Sequence, residues 1–443
     1  MFISILKIFK SFSLQLLILT GLAISGYSQP LLTLKEAMQI GLVNNFDIRI
    51  TRNEAVLAKE SNTYGNAGFL PNVALTGSRN FQWNNINQKF SSGLEVKNNG
   101  VATNQINAGV AANWVLYDGG KMFRTKRKQD TIQSAAEVRV QNQVQNFTDT
   151  LSAAYYQLVV GKFDSRITLQ DIERTEERLK ISVEQFRIGT RSKSDQLQAE
   201  IDLNVLKNKL LGIKTQIEIR KGAFNQLLAR DLEIDFEVED SVSLSPSYDF
   251  TSLKSKVLAD NFQLMLARKN VEISKLTIAE VKSRALPQIT LNTAYNFLQT
   301  KSEAGFALYN RSLGPNIGLS AAIPIFTGIS INRLVKMANI DLETKRLQLK
   351  LAESRLLNQL WRALKSLEYQ QETITAEQQN IKLAKENLDI AMGRFKLAQS
   401  TTLELKDAQA QLSNAQSRFV QARFNAKIAE NQVLRLQGTL RIE

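Results

Sequence analysis

Glu404 and Asp407 are the side chains best placed to act on something outside the chain. They stand three residues apart, which puts both carboxylates on one face of a helix. Asp195, 209 residues earlier, occupies the place of Glu404 in a duplicate pattern. Acids grouped in this way attract cations. The same residues also close two capping boxes, Thr401-x-x-Glu404 and Ser192-x-x-Asp195, which would restart helices. Catalysis has little to work with. The 443 residues include no Cys and no His, which removes thiol nucleophiles, disulfides, Cys/His zinc sites and imidazole bases together. Gly119-Gly120-Lys121 resembles the end of a phosphate loop, but Met122 stands where Ser or Thr is needed and the first glycine is wrongly spaced. No catalytic residue, cofactor or metal site is expected, and the chain does not read as an enzyme.

The acids lie at the start of a coiled helix. From Leu405 to Leu440 the apolar positions are Leu405, Ala408, Leu412, Ala415, Phe419, Ala422, Ala426, Ala429, Val433, Leu436 and Leu440. Their steps alternate three and four, the 3.5-residue period of a supercoiled seam. The seam occurs earlier as Ala199, Leu203, Leu206, Leu210, Ile213, Ile217, Phe224 and Leu227, interrupted once by Arg220. A run without Pro and with one glycine, Lys121 to Ile188, precedes the first copy. As one helix it would be about 100 Å long. Gly189 breaks it, and helix resumes near Ser192 to about Arg230. The second copy breaks over Lys396 to Leu403.

The rest of the chain repeats in the same order. Lys7 and Lys10, an apolar run from Leu14 to Ile24, and Gly26 and Ser28 form a secretory signal peptide pattern, residues 1–28. Residues 29–247 and 248–443 then read as two structural repeats. Thr33 to Gly68 reads as a helix with a Thr33/Glu36 capping box. Leu70-Pro71 opens an alternating strand to Asn84, a polar loop spans Asn85 to Thr103, and a second strand runs from Asn104 to Leu116. Leu286-Pro287 opens the second pair, whose last strand is Asn316 to Phe326. Each strand has one apolar face (Val73, Leu75, Gly77, Phe81, Trp83; Ile106, Ala108, Val110, Ala112, Trp114) and one small, polar face. At 11–13 residues each strand is slightly longer than a tilted barrel wall requires. Four strands cannot close a barrel and lipid forbids an open edge, so several copies must share one. Trp83, Trp114, Tyr295 and Phe297 are the candidates for its aromatic girdles. The net charge of +14 suits an anionic membrane surface or nucleic acid; the signal peptide argues against nucleic acid.

The order helix, Leu-Pro strand, loop, strand, aromatic-x-Gly, very long helix, break and coiled return helix, given twice, resembles the TolC-type outer-membrane efflux proteins. Its most specific pieces are Leu70-Pro71 with Leu286-Pro287, Tyr117-Asp118-Gly119-Gly120, Pro324-Ile325-Phe326-Thr327-Gly328, and Ile188-Gly189-Thr190 leading to Asp195. The resemblance implies a mainly α fold with membrane β: duplicated long helical hairpins form a trimeric α-helical tunnel continuous with a shared twelve-stranded β-barrel, four strands per protomer. It implies a passive exit duct in the outer membrane of a tripartite pump or type I secretion system. The partners would be a periplasmic adaptor, an inner-membrane pump and outer-membrane lipid. It places adaptor contact at the tips, Gly189, Thr190 and Arg191 with Ala398, Gln399 and Ser400, and rings of acids at the tunnel mouth from Glu404 and Asp407. The family's gate also uses an aromatic hydroxyl and an arginine, where Phe395 and Ser400 stand here. Closure would then rest on packing, or on Arg191 or Arg394 pairing with Asp195. Two other readings stay open: a structural or adhesive coiled-coil protein of the cell surface, and a periplasmic adaptor. An adaptor has a single hairpin with β-rich domains around it.

Overall fold

The computed structural model describes residues 31–240, 244, 248–305 and 307–440; the signal peptide reading lies outside them. In chain order the elements are β1 (Leu31–Leu32), α1 (Leu34–Asn44), α2 (Phe46–Ser61), β2 (Asn72–Lys89), β3 (Glu95–Asp118), α3 (Lys121–Arg187), α4 (Lys193–Leu227) and β4 (Glu237–Val238). They continue with α5 (Phe250–Asp260), α6 (Phe262–Ser283), β5 (Gln288–Ser302), β6 (Tyr309–Ala322), α7 (Ser330–Lys396) and α8 (Thr402–Leu436). Helices α3 and α7 have 67 residues each, and α4 and α8 have 35 each. The repeat therefore holds to the residue in its long elements.

The helix expected from Thr33 to Gly68 is two helices. The capping box starts α1 as read. Asn45 then ends it: the Asn45 Oδ1 accepts from the Ile48 N–H and starts α2, while Nδ2 donates to the Leu227 carbonyl at 3.0 Å. Asn261 does the same between α5 and α6, donating to the Leu436 carbonyl at 3.0 Å. An asparagine inside an apolar period can satisfy two helix ends at once, and propensity alone does not reveal it.

The strands also differ from expectation. β2 and β3 run to 18 and 24 residues, and most of the expected loop at 85–103 is paired strand turning tightly after Phe90. A polar sequence hid this hairpin, because neither of its faces carries an apolar alternation; a bulge at Asn84/Ile86 marks where the pattern ends. β6 starts at Tyr309 and stops at Ala322, before Pro324. Order in the sheet is β2-β3-β5-β6, all antiparallel, and among the described residues the outer edges of β2 and β6 have no partner strand.

In the helical body α4 packs on α3, α3 on α8, and α8 on α7. That order explains why the two copies of the seam differ. In α8, held between α3 and α7, nine of its ten seam residues are buried and Phe419 is partly so; Leu440, past the helix end, is buried too. In α4, at the edge, Leu206, Leu210 and Ile213 are half-covered, and Leu197, Ile201 and Val205 face outward. The largest core cluster among the described residues lies midway along α3, where Phe147, Leu151 and Tyr155 meet α1, Phe224 and Phe236. The Tyr155 hydroxyl donates to the Leu32 carbonyl at 3.0 Å and accepts from the Glu239 N–H at 2.9 Å, tying both ends of the first repeat to the long helix. Gly161, the one glycine of α3, lets α4 approach closely: a Cβ there would sit 3.0 Å from the Ile217 side chain, which would have to shift.

Candidate functional site

Two regions carry the functional geometry, the sheet and the helical tips. In the sheet, register decides what each face presents. Leu75 pairs with Val110, Val110 with Tyr295, and Tyr295 with Pro315; Trp114 pairs with Leu291, and Leu291 with Leu319. The apolar faces of all four strands thus join into one surface, with Leu75 81% and Ile317 76% exposed. The opposite surface, with Thr76, Asn107, Asn113, Asn292, Asn296 and Ser320, is small and polar. From Val73 to Trp83 the apolar stretch of β2 is about 34 Å long, or about 24 Å in height at a 45° tilt, which fits a barrel's lipid band. Arg79, the blemish on that face, donates to Asn104 at 3.2 Å and lies over the Phe81 ring. Trp83 and Trp114 sit toward opposite ends of the surface, as girdle residues should. Tyr295 and Phe297, opposite Val110 and Ala108, sit in its middle, which the sequence could not place without the register.

Both hairpins end in a left-handed residue. Gly189 has φ +81° and Ala398 has φ +57°, so the second tip makes the same turn without a glycine. Ser192 and Thr401 cap the return helices. Gly189, Thr190, Ala398 and Gln399 are exposed, whereas the Ser400 residue is buried and the Arg191 side chain is 9% exposed. Arg191 is buried because it links the tips. Its guanidinium donates to Gln185 at 2.5 Å on its own hairpin, and to the Ser400 carbonyl and Thr402 hydroxyl on the other, and lies 4.3 Å from the Phe395 ring centroid. Gln185 adds a bond to the Phe395 carbonyl at 2.9 Å. Sequence reading missed Gln185; Thr402, Ile188 and Leu397 lay inside the tip segments Arg187 to Ser194 and Lys396 to Leu403 but were not singled out, and the last two are exposed apolar residues at matching places beside the two turns. The duplicate offset of 209 was the signal that would have paired Ile188 with Leu397.

The three acids separate. Asp195 is held by the Thr402 hydroxyl at 2.9 Å and by Ser192, with Arg191 4.0 Å away. Burial raises its carboxyl, but these hydrogen bonds and the Arg191 charge outweigh burial and leave it below its ordinary value. Glu404 gives its backbone N–H to the Thr401 cap, yet its carboxylate turns to Arg394 at 2.5 Å rather than closing a capping box. Asp407 is exposed and makes no ion pair among the described residues. Arg394 thus pairs with Glu404 and not with Asp195.

A helical body of paired 67- and 35-residue helices under an apolar-faced sheet is the fold of an outer-membrane channel. The Campylobacter jejuni CmeC outer-membrane channel superposes with a TM-score of 0.78 at 17% identity, covering 92% of this chain and 86% of that one. The chain matches the family description "Outer membrane efflux protein" over residues 37–230 and 253–439, and it belongs to that family. Its relatives include the outer membrane efflux protein BepC of Brucella suis, 22% identical over 446 residues (99% of this chain, 92% of the relative). The outer membrane protein TolC of Escherichia coli is 21% identical over 441 residues (96% of this chain, 86% of the relative).

Proposed function

We propose that this protein is the exit duct of a tripartite efflux pump or type I secretion system, a passive conduit from periplasm to exterior. The observation that supports it best is the continuous apolar sheet face between two unpaired edges, set on helices about 100 Å long. In water both the face and the edges are liabilities. In a membrane, three copies pairing β6 of one with β2 of the next give twelve strands, a lipid-facing wall and a polar lumen. The two repeats, 29–247 and 248–443, each supply one hairpin and one strand pair. The exposed tip residues Gly189, Thr190, Ala398 and Gln399, with Ile188 and Leu397, form the surface for a periplasmic adaptor; Arg191 and Ser400 shape it from beneath. Glu404 and Asp407 act as a cation filter at the tunnel mouth, while closure rests on the Arg191 link. Purified protein should need detergent to stay dispersed and should open ion-conducting pores in planar bilayers. A monodisperse, detergent-free protein without pores would favour a coiled-coil surface protein or an adaptor. Bulky substitutions at Gly189, Thr190 and Gln399 should abolish export while assembled trimers persist; normal export would remove the tips from the adaptor interface.

A further inference from the structure

The helices meet the sheet in a zone of unbalanced charge. Lys121–Lys128 of α3, 281–284 at the end of α6, and Ser330–Met337 of α7 contain nine Lys or Arg and no acid. Eight helical residues reach about 12 Å below the strand ends, a span that takes in the headgroup layer of about 5–8 Å next to a barrel's rim. The nearby acids are engaged: Asp118 accepts from the Met122 N–H, Asp130 pairs with Lys126, and Glu280 with Lys128 and Thr125. Arg127, Lys282, Arg284, Arg333 and Lys336 are exposed and have no ion pair or side-chain hydrogen bond among the described residues. At the starts of α3 and α7 this arrangement opposes folding, since neither helix has an acid in its first turn and cations beside a helix start are repelled by its dipole; Lys282 and Arg284, at the end of α6, lie at the favourable pole. At the far end of the sheet the balance is milder, and Lys89 is paired with Glu95 at 2.9 Å.

Aromatic rings sit at the same level. The Trp114 indole N–H donates to the Phe69 carbonyl at 2.8 Å, Phe69 packs edge-on against Tyr64 and Phe123, and the Lys126 ammonium lies 5.6 Å from the Tyr64 ring centroid. Trp114, Tyr64 and Phe123 are exposed, and Trp114 lies near the helical end of the apolar sheet face. Rings with one apolar and one wet side beside free cations match the headgroup layer of a bilayer.

We propose that this basic collar binds anionic phospholipid headgroups of the leaflet facing the periplasm, which supply the missing negative charge and fix the depth of the barrel. The proposal rests on the membrane reading above. To test it, Trp83→Phe and Trp361→Phe leave Trp114 as the single tryptophan of the full chain. The protein is reconstituted in vesicles of brominated phosphatidylglycerol or brominated phosphatidylcholine, and Trp114 quenching is compared. Phosphatidylglycerol should be preferred at least about threefold at low salt. Parity should return in about 1 M salt, where screening shortens to about 3 Å. It should also return when Arg127, Lys282, Arg284, Arg333 and Lys336 are all changed to Gln. Equal quenching by the two lipids at low salt would overturn the collar while leaving the barrel intact; no quenching by either would overturn the membrane reading as well. A preference that survives the five changes would take the site away from these residues. If the changed chain does not assemble, the salt dependence of the parent decides.

Discussion

Replacing Arg191 with Ala removes the side chain that joins the two tips of one protomer. Its bonds across the tips are those to the Ser400 carbonyl and the Thr402 hydroxyl, with the Phe395 ring beneath it. A hydrogen bond from a charged donor contributes about 1.5–3 kcal/mol when buried, and a partly desolvated cation–π contact about 1 kcal/mol. The Thr402 bond, at 3.4 Å, adds little. The loss is therefore about 3 kcal/mol, or roughly a hundredfold in the ratio of joined to separated tips. Gln185 and the Asp195–Thr402 bond remain and keep separation partial. Because the chain has no cysteine, Arg187→Cys with Leu403→Cys gives two exposed, background-free sites for spin labels. With labelled chains diluted among unlabelled ones, the parent should show one narrow distance, and Arg191→Ala a second, broader population of comparable size. Arg191→Lys, which keeps charge but loses the planar fork, should fall between. A distance distribution unchanged by Arg191→Ala would show that packing alone joins the tips.

Three other outcomes follow from the geometry. Leu75→Arg should cost about 2–4 kcal/mol in urea unfolding from vesicles, whereas Thr76→Arg, on the polar face, should be tolerated; equal damage from both would refute the assignment of faces. In planar bilayers Glu404→Gln with Asp407→Asn should weaken cation selectivity and block by divalent cations, and unchanged currents would leave Glu404 as a partner of Arg394 only. Burial holds the Asp171 carboxyl above its ordinary 3.8 in spite of the Ser413 and Arg174 hydrogen bonds. The folded chain then binds that proton more tightly than the unfolded one, and stability falls as pH rises above 3.8. Asp171→Asn should accordingly raise the unfolding midpoint at pH 7 and bring no gain below pH 3.8; a gain at both would place its effect elsewhere.

The long elements were legible because their signals are periodic and doubled. The seam from Leu405 to Leu440 fixed α8, and the same order 209 residues earlier placed α4. Apolar alternation likewise placed the faces of β2 and β3. What stayed hidden depended on pairing. The hairpin beyond Asn84 has two polar faces, so only the ladder reveals it. Asn45 and Asn261 each bond a residue more than 170 positions away. At the tips, sequence supplied the turns and the acids, but not that Arg191 would cross to Ser400 or that Arg394 would pair with Glu404. The first contact depends on where one hairpin lies against another, and no local pattern records that.

The matched lengths of the four long helices limit how such a chain can change over generations. A heptad inserted in α3 would carry its turn about 10 Å beyond α4, and the hairpin would no longer close. Lengthening α3 and α4 together would leave α7 and α8 short, and Arg191 would face empty space where Ser400 had been. A viable change in reach must alter all four helices by the same whole number of heptads. Ancestral lineages would therefore shift length in rare, coordinated jumps.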